Sequence, residues 1–108
     1  IKAYLNLKFE EFSALQEIRK VDNEEFKKKF CEYLKNAPVL DFLSRLEHKR
    51  WCNSYYAMNF KYGEKKDENL KTHPCLIDDW KIIIGEKFDT CHPEYDLLSV
   101  FTLFQREE

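Results

Sequence analysis

Apolar side chains recur every three or four residues along the first part of the chain, which is the spacing of one side of an α-helix. The first series consists of Leu5, Phe9, Phe12, Leu15 and Ile18. Asp22, followed by Glu25, resembles a helix-capping box and introduces a second series. That series contains Phe26, Phe30, Tyr33 and Leu34. The pattern predicts one helix from Leu5 to Ile18 and another that ends near Asn36.

A third helix is predicted from about Val39 to Met58, because Pro38 suits a turn or a first helical position and the segment up to Met58 contains no Gly or further Pro. Its apolar stripe is expected to face the first two helices and consists of Leu40, Leu43, Leu46 and Trp51. Three further residues would then lie half-buried at the border of that stripe, namely His48, Cys52 and Tyr55.

The middle of the chain changes character after Asn59. Phe60 to Tyr62 alternates as an extended segment would, and Gly63 suits a turn at positive φ. Leu76 to Ile84 is a second candidate extended run that would pair with the first. Pro93 suits the start of a last helix, whose expected buried stripe is Tyr95, Leu98, Phe101 and either Leu103 or Phe104. The predicted fold class is mainly α with a small β component (α+β), with short extended segments between the third and last helices.

The 108 residues are enough for one domain that buries its own core. The formal net charge of -2 argues against a partner that is a nucleic-acid polymer. The longest aliphatic run, Ile82 to Ile84, is far shorter than the roughly twenty apolar residues that span a bilayer, so direct membrane insertion is not expected. Because the chain begins at Ile1, we expect a fragment of a longer protein, whose other domains would be partners.

The four cysteines are widely spaced and form no Cys-x-x-Cys pair: Cys31, Cys52, Cys75 and Cys91. Disulfide scaffolds are denser and structural zinc sites have closer ligand pairs. The spacing predicts four reduced thiols in a cytoplasmic protein, with no metal and no cofactor. Metal binding near Cys52 or Cys91, each of which is close to a histidine, is the weaker alternative.

Several short motifs between Leu43 and Trp80 occur in a characteristic order. They are Glu47-His48-x-x-Trp51, then Tyr62-Gly63, then Asp67 to Lys71, then His73-Pro74-x-Leu76. In this order and spacing they resemble the ryanodine receptor (RyR) domain, which is also found in bacterial and phage proteins. Tyr95-Asp96 to Leu103 is similar to the closing helix of that domain. Two departures are Asn59-Phe60, where the family usually has Gly-Trp, and Ile82 to His92, which replaces a stretch rich in Glu and Lys.

The resemblance implies a single RyR-like domain over residues 1–108, with an N-terminal helical extension over about residues 1–38. The family's tandem repeats are implicated in binding adenine nucleotides, and its bacterial members are suspected sensors of nucleotide-derived signals. A single repeat is also expected to be able to form a homodimer that imitates the tandem. No EF-hand loop is present, so calcium binding is not expected.

These observations predict a non-catalytic sensor that binds a nucleotide-like, planar, anionic small molecule. Trp51 would be the stacking platform, and Tyr62 and His48 would be polar partners. Lys71 and His73 would lie at the charged end, and Tyr55 completes the expected ligand-binding set. In the simpler alternative for His48, its ring hydrogen-bonds a loop carbonyl and holds the next segment against the helix.

Two other functions remain open from the residues. One is a structural or protein-interaction module of a larger channel- or transport-associated protein, in which the aromatic residues would form a core. The other is an enzyme that uses Cys52 or Cys75 as a nucleophile with a histidine base, for which the sequence offers neither an oxyanion loop nor an orienting partner. We therefore expect no catalytic residues.

Overall fold

Six helices and two short strands make up the computed structural model, which describes the backbone of residues 2–105 and the side chains of residues 3–104. The helices are α1 (Lys2–Val21), α2 (Asn23–Lys35), α3 (Pro38–Ala57), α4 (Trp80–Ile84), α5 (Phe88–Cys91) and α6 (Glu94–Gln105). The strands are β1 (Lys61–Tyr62) and β2 (Thr72–His73). Helices account for 71% of the structure. The predicted fold class, mainly α with a small β component, is therefore confirmed.

The boundaries of the first three helices follow from local sequence signals. The Asp22 carboxylate caps α2 by accepting hydrogen bonds from the backbone N–H groups of Glu24 and Glu25, both at 3.1 Å. This satisfies two donors that have no partner inside the helix. Pro38 occupies the first turn of α3, where its missing N–H costs nothing. Both helix starts agree with the sequence prediction.

A cluster of phenylalanine rings forms the centre of the core. The completely or almost completely buried members are Phe12, Phe26, Phe30, Phe88 and Phe101. Phe101 of α6 lies 5.4 Å from Phe9 and 5.8 Å from Phe12, measured between ring centroids. Burial of one such side chain contributes about 1.5–3 kcal/mol to stability. The predicted apolar series of α1 and α2 is thus the face that these helices bury.

The buried face of α3 differs from the predicted stripe. Its buried members are Leu40, Ser44, Glu47, His48 and Cys52. Leu46 is 43% exposed, so the prediction that it faces α1 and α2 is wrong. The physical reason is that α3 packs more extensively against α6 than against α2, which turns the helix towards a partner that the apolar spacing does not specify. His48 and Cys52 consequently lie in the interior rather than at a border.

The predicted stripe of α6 is also partly wrong. Phe101 is buried and Leu98 is partly buried, but Tyr95 is 58% exposed and Leu103 is 51% exposed. Since α6 contacts both α1 and α3, its buried face is centred on Leu97 and Phe101. One side of the helix, close to α3, keeps large apolar side chains at the surface.

β1 and β2 pair in parallel, with Tyr62 beside His73. Leu76 to Ile84 is therefore not the second strand, and that prediction is wrong. The Asp79 carboxylate accepts a hydrogen bond from the Lys81 N–H at 3.0 Å and starts α4 within that segment.

Gly63 is required for space rather than for a positive φ. A Cβ atom at this position would lie 2.6 Å from Cβ of Thr72, closer than the two strands allow. Positive φ values occur instead at Asn59 (70°), at Lys71 directly before β2 (57°) and at His92 (48°). Asn tolerates this region better than most residues. None of the described helices has the length and apolar character needed to traverse a bilayer.

Candidate ligand-binding site

The predicted ligand-binding residues converge on the region where α3 ends and β1 and β2 pair. His48, Trp51 and Tyr55 follow one another at helical spacing on α3. The strand pair then places Tyr62 and His73 side by side, with Lys71 directly before β2. The structure therefore brings all of these positions into one region, although it gives them different environments.

Trp51, Tyr55 and His73 form a half-buried aromatic cluster. The Trp51 ring lies 4.6 Å from the Tyr55 ring and 4.9 Å from the His73 ring, again measured between centroids. The His48 ring is stacked on Trp51 at 5.7 Å with an interplanar angle of 23°, and Phe60 meets Tyr55 edge-on at 5.0 Å. Neighbouring rings of the protein thus already occupy much of the Trp51 surface. The indole is half-buried, so only part of its surface is accessible to a ligand, and its role as the stacking platform stays a prediction.

His48 belongs to the interior, with only 4% of its surface exposed. Its Nε2 donates to the backbone carbonyl of Ile77 at 2.9 Å, and its Nδ1 lies 3.3 Å from Oδ2 of Asp96 on α6. These contacts hold the segment after β2 and the last helix against α3. His48 thus makes the contact of the simpler alternative, in which its ring hydrogen-bonds a loop carbonyl, and both of its ring nitrogens are engaged by the protein.

The two contacts of His48 call for a proton on both ring nitrogens. Burial disfavours the charged ring, but the hydrogen bonds to Asp96 and Cys52 outweigh it and raise the pKa of His48 to about 10. Burial in turn raises the pKa of Asp96, and the charged His48 opposes that rise. We assign an imidazolium–carboxylate pair, because both nitrogens face acceptors and the carboxylate faces a donor.

Cys52, His48 and Asp96 are arranged in the order of a nucleophile, a base and an orienting acid. Sγ of Cys52 lies 3.5 Å from Nε2 of His48. However, Cys52 has no exposed surface, and the Nε2 proton of His48 is donated to Ile77, so that nitrogen has no free lone pair with which to take a proton. The group has the spacing of a catalytic set but neither substrate access nor a free base.

Cys75 and Cys91 form a disulfide bond, with their Cα atoms 5.7 Å apart. The prediction of four reduced thiols is therefore wrong; Cys31 and Cys52 are the free cysteines. The physical reason is tertiary, because α4 and α5 fold the chain back and bring together two cysteines that no sequence motif connects. The cysteines therefore no longer support the predicted cytoplasmic location, since disulfides persist mainly in oxidising compartments.

The bonded Cys75 also orients His73. The Cys75 backbone N–H donates to Nδ1 of His73 at 3.1 Å, which leaves the proton of the neutral ring on Nε2. Burial, assisted by the charge of Lys66, lowers the pKa of His73. His73 can therefore offer a hydrogen bond to a ligand, while a neutral ring leaves the positive charge at this end to the lysines.

Positive charge near the cluster comes from exposed lysines of the strand pair and its connecting loop, namely Lys61, Lys65, Lys66 and Lys71. Asp67, inside the same loop, uses its carboxylate to accept from the N–H groups of Asn69 and Leu70. Tyr62 is 48% exposed and Lys71 is also exposed. These two residues fit the predicted ligand contacts best.

The described residues contain no group of three or more His, Cys, Asp or Glu side chains arranged to hold a metal ion. Comparisons of the chain with protein-family models, with curated proteins and with solved structures find no match. The resemblance to the RyR domain therefore stays a prediction that rests on the residues of this chain.

Proposed function

We propose that this chain is a non-catalytic module that binds a planar, anionic, nucleotide-like small molecule. The observation that carries the proposal is that the strand pair places Tyr62 beside His73, whose ring contacts the half-buried Trp51, with Lys71 directly before β2. The motif resemblance to the RyR domain supports the same ligand class.

In the proposed binding mode, the ligand lies on the surface of the strand pair rather than between α3 and the core. The base would contact Tyr62 and the edge of the Trp51–Tyr55 pair, where stacking of a base contributes about 1–3 kcal/mol. The phosphate would lie towards Lys71 and its neighbouring lysines, and Nε2 of His73 would donate to the ligand. His48 would act only as a support, by holding α3, Ile77 and Asp96 together.

The test is a thermal-shift and calorimetry series with adenine nucleotides, cyclic dinucleotides and ADP-ribose, with inorganic phosphate as the charge control. A ligand at one hundred times its Kd stabilises by about 2.7 kcal/mol, which raises the melting midpoint of a domain of this size by about 10 °C or more. Lys71→Ala should weaken binding about tenfold without a change in stability. Lys28→Ala is the matched control, because Lys28 is an exposed lysine on α2.

A nucleotide that binds wild type and Lys71→Ala equally would show that the charged end is placed wrongly. Absence of a shift with every compound would refute the proposal. An equal shift with inorganic phosphate alone would indicate attraction to the lysines without recognition of a base.

A second candidate function is self-association, which an apolar groove between α3 and α6 supports. The groove has a volume of about 520 Å³, and its walls include Leu43, Leu46, Val100, Leu103 and Phe104. Leu46 is 43% exposed and Leu103 is 51% exposed, which is costly for large apolar side chains that nothing covers. A second copy of the chain would cover both faces symmetrically. Light scattering across a concentration series would reveal the dimer, and Leu103→Glu should abolish it; a monomer at every concentration would refute self-association.

A further inference from the structure

A cleft separate from the aromatic cluster lies between the end of α2, the first half of α3 and the segment that leads into α4. Its volume is about 650 Å³, which is within the range of small-molecule sites. The residues that line it are Cys31, Leu34, Lys35, Asp41, Arg45, Asp78, Asp79, Trp80, Lys81 and Ile84. None of the residues in the nucleotide proposal belongs to this set.

The inner end of the cleft is fixed by the core. Leu34 is 2% exposed and Trp80 is 4% exposed, so a ligand would reach almost none of either side chain. The accessible apolar surface comes from Cys31 and Ile84, which are partly exposed. The indole N–H of Trp80 donates to Oδ1 of Asp41 at 2.9 Å, which fixes the Asp41 carboxylate. The Cys31 thiol lies 3.7 Å from the Ile84 carbonyl. A ligand would thus meet a small apolar surface with a carboxylate already oriented near it.

The rim carries equal numbers of positive and negative side chains. The basic residues are Lys35, Arg45 and Lys81, and the acidic residues are Asp41, Asp78 and Asp79. Among the described side chains, none of these six forms an ion pair within 4.0 Å. The guanidinium of Arg45 instead lies over the Phe42 ring at 5.2 Å. Both signs of charge are therefore available to a ligand.

We infer that this cleft binds a small zwitterion with an apolar body, such as an amino acid with a hydrophobic side chain. A simple anion or cation entering the cleft would face three like charges as well as three opposite ones, so the two effects would largely cancel. A molecule with an ammonium and a carboxylate pairs with both sets, while its apolar part packs on the partly exposed side chains of Cys31 and Ile84. The overall neutrality of the rim favours a ligand that is itself neutral overall.

Cys31 provides a reporter inside the cleft. Of the two free cysteines, Cys52 is fully buried, whereas Cys31 is partly exposed and lines the cleft. Alkylation of the oxidised protein should therefore modify Cys31 selectively, at mildly alkaline pH because burial raises the pKa of its thiol. Leucine is the zwitterionic probe, leucine amide carries only the positive charge, and N-acetylleucine carries only the negative charge.

Leucine should slow alkylation of Cys31 by about tenfold at a concentration ten times its Kd. The reason is that the fraction of protein molecules with an empty cleft falls by the same factor. Leucine amide and N-acetylleucine should protect much less at the same concentration. If none of the three slows the reaction, or if one singly charged form protects as well as leucine, the inference is overturned.

Two variants test which rim residue pairs with the ammonium of the ligand and which pairs with its carboxylate. Asp78→Asn should weaken protection by leucine by up to about fivefold, and Arg45→Gln should do the same, since each exposed pair contributes up to about 1 kcal/mol. Asp78→Asn should not weaken protection by N-acetylleucine, and Arg45→Gln should not weaken protection by leucine amide. Lys28→Gln, outside the cleft, is the control for a general change in charge. An equal effect of both rim variants on all three probes would refute the charge assignment.

Discussion

Reduction of the Cys75–Cys91 disulfide should destabilise the domain by a predictable amount. The bond closes a loop between residues separated by 16 positions in the sequence. The chain-entropy relation gives about 3 kcal/mol for a loop of this length, lost when the bond is opened. With an unfolding entropy of about 2.1 cal/mol/K per residue, each kcal/mol lost from the free energy of unfolding lowers Tm by slightly more than about 4 °C. The Tm should therefore fall by about 13 °C.

The measurement is thermal unfolding followed by far-UV circular dichroism, with and without a phosphine reductant. Thiol titration of the denatured protein should find the two free cysteines before reduction and all four after it. A double variant, Cys75→Ser with Cys91→Ser, should melt at the lower temperature with or without reductant. Four titratable thiols in the untreated protein, or a Tm that reduction leaves in place, would refute the reasoning.

Three further outcomes are expected. Because the folded pKa of His48 is about 10, above its unfolded value of 6.5, the stability from its ion pair is complete below pH 6.5 and is lost towards pH 10. Urea unfolding across that window should show the decline, and a His48→Gln variant with the same slope would contradict it. Gly63→Ala should cost about 1–3 kcal/mol in urea unfolding, since its Cβ would meet Thr72; unchanged stability would be incompatible with this packing. Trp80→Phe should cost about 1–3 kcal/mol by removing the donor to Asp41, which differential scanning calorimetry of both proteins would measure.

Local signals in the sequence were sufficient to predict the first three helices. Their apolar spacing, the Asp22 cap and Pro38 each act within a few residues, so they can be read without knowledge of the rest of the fold. The rotation of α3 could not be predicted in this way. It depends on contacts with α6, which is distant in the sequence. The spacing of Leu40, Leu43 and Leu46 does not decide between this buried face of α3 and one rotated by a single residue.

The candidate site was predicted at the level of residue types but not of environments. The positions of Trp51 and Tyr55 on one helix side follow from helical spacing, and both lie in the cluster. The burial of His48 follows from contacts with Ile77 and Asp96, which no local pattern connects to it. The pairing of Cys75 with Cys91 likewise depends on the path of α4 and α5.

The packing of Phe101 against Phe9 has a consequence for the speed of folding. These two residues lie near opposite ends of the sequence, so their contact carries a larger loop-closure cost than the contacts between successive helices. α1 and α2 can meet early through neighbouring sequence, but the centre of the domain closes only when α6 docks. Until that step the rings of Phe9 and Phe12 lack the contact with Phe101, so the docking of α6 is the step that completes the core.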